Sequence, residues 1–463
     1  MGHLIKTMKK AILFLVIAVV LESTYGKFPR FKDHQEKIYT PDVDVGQPLI
    51  LTPYLEKNQI QDAREAAEVH LDAFKDVVSY SGYFNVDKEN NGSLFFWFFP
   101  SADNYTNDPV VLWLQGGPGS SSLYGLFDEN GPFIVEEDGN VTLREYSWHK
   151  NQSVIYIDQP VGTGFSFSES FVTNQTEVGA HLYDALTQFF TLFPELQTND
   201  FFVSGESYAG KYIPAIGYTI FENNPTAELK INLQGLLIGN GLSDPINQVS
   251  YGDLLYQLGL TDKNGLENYH NQEQQLIEYI KNEDFSSAIN AFNNIFDYYE
   301  NNTELFNVYN YLKDELDDSD AYARFLNTAE VRQALHVGNQ QYSSLSYDVY
   351  DGLMNDMMKS VAPWVSTLLS NYRVLIFNGQ LDVIVNYILT ANYLQKLDFS
   401  SAEEYKNATR KVWHVNNKTA GYSKVAGNLT EVLVRNAGHM VPAEQPEAAY
   451  QLLYRFIRGL SLE

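Results

Sequence analysis

The sequence predicts an α/β chain built on a mainly parallel sheet, and three features of its order carry that expectation. Short runs rich in β-branched and aromatic residues recur between Gly, Pro, Asn and Asp. Apolar residues at helical spacing fill intervals between those runs. A long polar stretch then interrupts the alternation before the apolar runs resume.

Taken in order, residues 1–26 read as a signal peptide. Lys6, Lys9 and Lys10 form a basic start, and Ala11 to Leu21 is an unbroken apolar run of 11 residues, too short for a bilayer. Thr24 and Gly26 stand where a cleavage site needs short side chains. Residues 27–75 are polar and irregular, turn-rich between Pro41 and Pro53, and are expected to wrap the core. Buried strands are predicted at Leu94–Phe99, Val110–Leu114, Val154–Ile157, Phe201–Val203, Leu233–Ile238, Val374–Phe377 and Val432–Val434. Val178, His181, Leu182, Ala185, Leu186, Phe189, Phe190 and Phe193 lie on one helical stripe. Strands alternating with helices imply a sheet covered on both faces. The core is thus expected in two parts, residues 27–242 and 362–463. Between them, 243–361 is polar and mostly helical, and reads as a helical lid over the C-terminal edge of the sheet, where open α/β sheets bind ligands.

Bulk properties exclude several functions. A formal charge of −27 over 463 residues opposes a nucleic-acid partner and docking on anionic lipid. No stable membrane anchor is expected. The absence of cysteine rules out disulfides, thiolate metal sites and a cysteine nucleophile. The histidines form no zinc-peptidase motif, so neither a metal nor a cofactor is implied. Nine N-x-Ser/Thr sequons, at Asn91, Asn104, Asn140, Asn151, Asn174, Asn301, Asn407, Asn417 and Asn428, agree with secretory passage.

The sharpest local signal is Gly205-Glu206-Ser207-Tyr208-Ala209-Gly210, running from a strand into a helix. Small residues two positions either side of Ser207 allow the tight turn that exposes a serine hydroxyl, the nucleophile elbow of the α/β-hydrolase fold. A serine nucleophile needs a base and a group to orient that base. In this fold they follow in the order acid, then histidine, each after a strand. Asp382 follows Val374–Phe377, and His439 follows Val432–Val434, completing a catalytic triad of Ser207, Asp382 and His439. The loop Trp113-Leu114-Gln115-Gly116-Gly117-Pro118-Gly119 offers one oxyanion donor at Gly117, and the amide of Tyr208 offers the other. Taken alone the glycine stretch reads as a plain tight turn, and its position after a strand and upstream of the elbow favours the functional reading.

With these motifs in place, the chain resembles the serine carboxypeptidase family, closest to its vitellogenic-like and insect venom branch. The resemblance rests on Trp113–Ser122, Gly205–Gly210, Asn378-Gly379-Gln380-Leu381-Asp382, Gly438-His439-Met440-Val441-Pro442 and Asp158–Ser166. It implies hydrolysis of the C-terminal bond of peptides and proteins at acidic pH through an acyl-enzyme. It also implies that Gln115, Glu129 and Glu206 hold the free carboxylate of the substrate. Two departures are evident. Gln115 stands where the family commonly has Asn, and Ser120 where many members have Cys. A secreted binding protein on the same fold, and acyl transfer to a small alcohol, are the alternative functions. The expected location is extracellular, as in venom or another gland secretion, with a lysosome-like compartment as the alternative. The sequence leaves a homodimer open.

Overall fold

The computed structural model describes residues 43–314 and 319–462. The expected signal peptide lies outside the described residues. Among the described residues, ten of twelve strands form one sheet: β1 (Tyr80–Asp87), β2 (Gly92–Phe99), β3 (Val110–Leu114), β6 (Ser153–Asp158), β7 (Phe201–Glu206), β8 (Leu233–Gly239), β9 (Arg373–Gly379), β10 (Lys411–Val415), β11 (Lys418–Ala426) and β12 (Leu429–Val434). Their order is β1-β2-β6-β3-β7-β8-β9-β12-β11-β10. The central six, β6 to β12, run parallel. Antiparallel pairs flank them at each edge. The remaining strands, β4 (Phe133–Val135) and β5 (Val141–Leu143), make a separate hairpin.

Both faces of the sheet are covered, which explains the unbroken apolar runs. In β2, Leu94, Phe96 and Phe98 enter one core and Phe95, Trp97 and Phe99 the other. β3 divides in the same way, with Val110, Leu112 and Leu114 on one side and Val111 and Trp113 on the other. The helix Gln175–Leu192 packs on the first face through Val178, Leu182, Ala185, Leu186 and Phe189, the stripe read from the sequence. Asn174 caps it, its side chain accepting from the Glu177 N–H.

Each predicted strand is present, within one to three residues at its ends. Five strands escaped sequence reading: β1, β10 and β11 of the main sheet and the short hairpin strands β4 and β5. β1 and β10 are the sheet edges and β11 lies next to one, and Ser, Gly, Asn, Lys or His among their residues dilutes their apolar content. Among its described residues, the stretch expected to be irregular holds two α-helices, Thr52–Glu56 and Ile60–Ala67. Pro53 had suggested a turn, but at the first positions of a helix a missing N–H costs nothing.

Between β8 and β9 the described residues hold helices and no strand: Tyr251–Gln257, Lys263–Lys281, Phe285–Thr303, Ala321–Leu326, Ala329–Ala334, Tyr347–Met357 and Ala362–Leu369. Backbone hydrogen bonds attach this segment to the loops at the C-terminal ends of the strands. Ser121 N–H donates to Ser344 O at 3.0 Å, and Ser346 N–H to Gly119 O at 2.9 Å. His439 N–H donates to Tyr309 O at 2.7 Å. No helix among the described residues is long and apolar enough to cross a membrane.

Candidate active site

The backbone of β7 ends at Glu206, and Ser207 turns with φ +62° before the helix Ala209–Asn223 begins. Left-handed backbone at a non-glycine residue is held only by its surroundings. Here Ser207 N–H donates to Gly239 O at 3.0 Å, while Ser207 O accepts from Gly210 N–H at 2.9 Å and Leu242 N–H at 3.1 Å. The turn is therefore anchored to the end of β8 and to its own helix. Gly205 is required by proximity: a Cβ there would lie 2.1 Å from Leu114 O.

The acid and the histidine meet across two loops. His439 Nδ1 lies 2.8 Å from Asp382 Oδ2, with Asp382 wholly buried and His439 2% exposed. Asp382 also accepts from Asn240 Nδ2 at 2.7 Å and from the N–H groups of Ile384 and Val385 at 3.1 and 3.3 Å. Its carboxylate is thus fully hydrogen-bonded and fixed toward the imidazole. The other ring nitrogen, Nε2, is buried and has no hydrogen-bond partner among the described residues. That nitrogen is free to take a proton, and contacts of this kind often tighten only when substrate is bound. The Tyr309 ring packs 5.1 Å from the imidazole, centre to centre.

The loop after β3 lies directly against the elbow. A Cβ on Gly116 would stand 2.5 Å from the Tyr208 nitrogen and 2.8 Å from Ser207 Cβ, so only glycine permits this approach. Gly117 follows with φ +104°. The N–H groups of Gly117 and Tyr208 donate no hydrogen bond within the described residues, leaving two donors beside the serine. Asp158 holds the far side of this loop: it accepts from the Ser121 hydroxyl, from Ser122 N–H at 3.0 Å and from Phe165 N–H at 2.9 Å. Burial pushes its carboxyl up to about 6, against the pull of those donors.

Gln115, Glu129 and Glu206 also come together. Gln115 Nε2 donates to Glu206 Oε1 at 2.8 Å, and Trp113 Nε1 donates to Gln115 Oε1 at 3.0 Å. Trp113 thereby fixes which end of the Gln115 amide faces the acids. Glu129 and Glu206 are each 1% exposed, and the two carboxyls are hydrogen-bond partners of one another. Burial, first, and the neighbouring carboxyl, second, raise Glu206 well above the ordinary carboxylate range. Burial raises Glu129 as well. Two such groups facing each other retain a proton between them. The cluster can therefore donate a hydrogen bond to an anion at mildly acidic pH.

The structure brings all eight predicted chemical residues to the C-terminal end of the sheet. Sequence reading missed Asn240, which lies between Gly239 and Gly241 at the end of β8 with φ +41° and bonds Asp382. An Asn among glycines just after a strand was its available signal. Seven sequon asparagines are exposed, whereas Asn151 and Asn174 are half-buried. Asn151 Oδ1 accepts from the Tyr450 hydroxyl, and Asn174 serves as a helix cap. No cluster of three or more metal-ligating side chains occurs among the described residues. A surface cleft of about 410 Å³ lies elsewhere, between the β4–β5 hairpin and residues 321–331, and shares no residue with this site.

A family model described as serine carboxypeptidase matches residues 71–459. The sequence is 51% identical over 426 residues to the venom serine carboxypeptidase of Apis mellifera, covering 89% of this chain and 91% of that protein. It is 45% identical over 425 residues to the vitellogenic carboxypeptidase of Aedes aegypti, covering 89% and 90%. Among solved structures, a prohormone-processing carboxypeptidase from Saccharomyces cerevisiae, Kex1(delta)p, superposes with a TM-score of 0.75 at 26% identity, covering 86% of this chain and 96% of that one.

Proposed function

The chain belongs to the serine carboxypeptidase family, and we propose that it is a secreted exopeptidase acting at acidic pH through Ser207, His439 and Asp382. His439 Nε2 removes the Ser207 hydroxyl proton as Oγ attacks the terminal peptide carbonyl. The N–H groups of Gly117 and Tyr208 receive the oxyanion. The imidazolium formed is stabilised by Asp382 and returns its proton to the departing amine, leaving the acyl-enzyme. Water, deprotonated by the same nitrogen, then attacks the ester and frees Ser207.

The single observation that carries the exopeptidase reading is the buried Gln115–Glu129–Glu206 cluster. Two carboxyl groups buried against each other beside a side-chain amide are an unfavourable arrangement for the fold alone. The arrangement gains a use when a substrate carboxylate accepts from Gln115 Nε2 and from the proton the acids share. Above the pH at which that proton leaves, two carboxylates would face an anion, so binding fails on the alkaline side. Gln115 reaches both Trp113 and Glu206, supporting the same role for it as for the commoner Asn. Residues 243–361 are proposed as the lid, with residues 307–310 beside the histidine.

The test is release of the C-terminal amino acid from an N-blocked dipeptide between pH 4 and 8, beside its C-terminal amide. Ser207→Ala is expected to lower kcat by at least about 10⁴-fold, of the order seen on removing triad members. Turnover that ignores the free carboxylate, or that survives the substitution, would overturn the reading.

A further inference from the structure

Glu129 sits in a π-helical turn, Gly125–Asn130, whose wide winding leaves its closing carbonyls without helical donors. Arg144, just after β5, supplies them. Its guanidinium donates to Phe127 O through Nη2 and to Gly131 O through Nε at 3.0 Å, with a longer contact from Nη2 to Phe133 O at 3.4 Å. Phe127 and Gly131 bracket Glu129 by two residues on either side. Asn130, the next residue, is held in turn by the Tyr156 hydroxyl at 2.7 Å.

We propose that Arg144 is a positioning residue for recognition of the substrate carboxylate: it clasps the backbone on either side of Glu129, at Phe127 and Gly131, and sets a fixed positive charge beside that member of the acid pair. This rests on the exopeptidase reading above and extends it to a residue that touches neither substrate nor the reacting atoms. The ionisable groups facing the pair are Asp128 from the turn, Tyr124 from the short helix just before it, Tyr156 from β6, Asp382 from the loop after β9, and Arg144. Of these, Arg144 is the cation. It favours the ionised acid and so opposes burial, which favours the neutral one. Its charge also offsets the repulsion that a second anion, the substrate carboxylate, meets on entering. The hydrogen bonds hold Arg144 in place through backbone carbonyls and do not engage the carboxyl oxygens.

The experiment compares wild type, Arg144→Gln and Arg144→Lys on the N-blocked dipeptide and its C-terminal amide, from pH 4 to 8, with Tm measured for each. Gln keeps one donor toward the carbonyls without the charge, and Lys keeps the charge without the fork. Arg144→Gln is expected to raise KM for the free acid about tenfold at pH 5 with kcat little changed. It should also move the alkaline limb of kcat/KM to higher pH, because the pair holds its proton more firmly once the cation is gone. The amide, lacking the carboxylate, should keep its kcat/KM. Arg144→Lys should restore the limb to its wild-type position even where Tm is lowered. An unmoved limb in Arg144→Gln, or equal losses on acid and amide, would overturn the proposal and leave Arg144 a purely structural clasp. A wild type that does not distinguish acid from amide would remove the underlying reading, and this one with it.

Discussion

Two buried charged clusters grow from the turn at Ser207. Glu206 precedes the serine and faces Glu129; Lys211 follows it, in the helix Ala209–Asn223, and meets Asp356 at the end of the helix Tyr347–Met357. Lys211 is wholly buried, and its ammonium donates to the carbonyls of Asp356, Met357 at 3.1 Å and Lys359 at 2.6 Å, with Asp356 Oδ2 at 3.6 Å. Asp356 accepts in addition from Gln175 Nε2 at 2.8 Å and from the Tyr208 hydroxyl at 3.3 Å. This second cluster is closed: a cation meets helix C-terminal carbonyls and a carboxylate, and Gln175 Oε1 is its one orphaned atom. The acid pair is the reverse, two like groups held together by the proton between them and by Gln115. The difference lies in what burial demands of each. Opposite charges stabilise their own burial, whereas two buried carboxyls do so only while they keep a proton, the state in which the proposed role in substrate binding would operate.

The largest expected effect comes from opening the closed cluster. Lys211→Met leaves the Asp356 carboxylate buried beside uncapped carbonyls, and should cost about 3–5 kcal/mol in denaturant unfolding. Adding Asp356→Leu should recover part of that loss. No destabilisation would mean that the pair is solvated and the comparison fails. A smaller effect is expected at Asn240, which ties the end of β8 to Asp382. Asn240→Ala should lower kcat by about tenfold, the worth of one hydrogen bond to a charged group, with KM nearly unchanged. A rise in KM alone would instead place Asn240 in substrate binding.

The smallest effect has the most telling sign. The acid pair holds its protons more firmly in the folded chain than in the unfolded one, so the folded state binds more protons above about pH 4.5, the unfolded glutamate value. Stability is therefore greatest on the acid side and falls as pH rises from there toward the raised value of the pair. Asp158, raised to about 6, adds to the fall between about pH 4 and 6. Glu206→Gln keeps hydrogen-bonding capacity and removes one ionisation. It should leave Tm unchanged at pH 4.5 and stabilise by about 1–2 kcal/mol at pH 7.5, the order of one unit of raised carboxyl titration relieved. Equal Tm changes at both pH values would show that proton linkage is not the cause.

The sequence alone determined the parallel centre of the sheet, because strands buried on both faces must be apolar throughout, as β2 and β3 are. It also determined the order of serine, acid and histidine, because the elbow demands small residues at set spacing and each partner follows its own strand. Local steric rules of this kind are written in adjacent residues. Tertiary structure decided the rest. Asn240 and Asp382 stand 142 positions apart, Lys211 and Asp356 145, and Gln115 and Glu206 91. Arg144 reads as a surface cation until the turn around Glu129 folds over it. Strands β1, β10 and β11, at or next to the sheet edges, owe their form to the strands they pair with rather than to their own diluted apolar content. Burial and partnership are properties of the folded chain, and they distinguish a carboxyl pair that must keep a proton from an ion pair that closes the core.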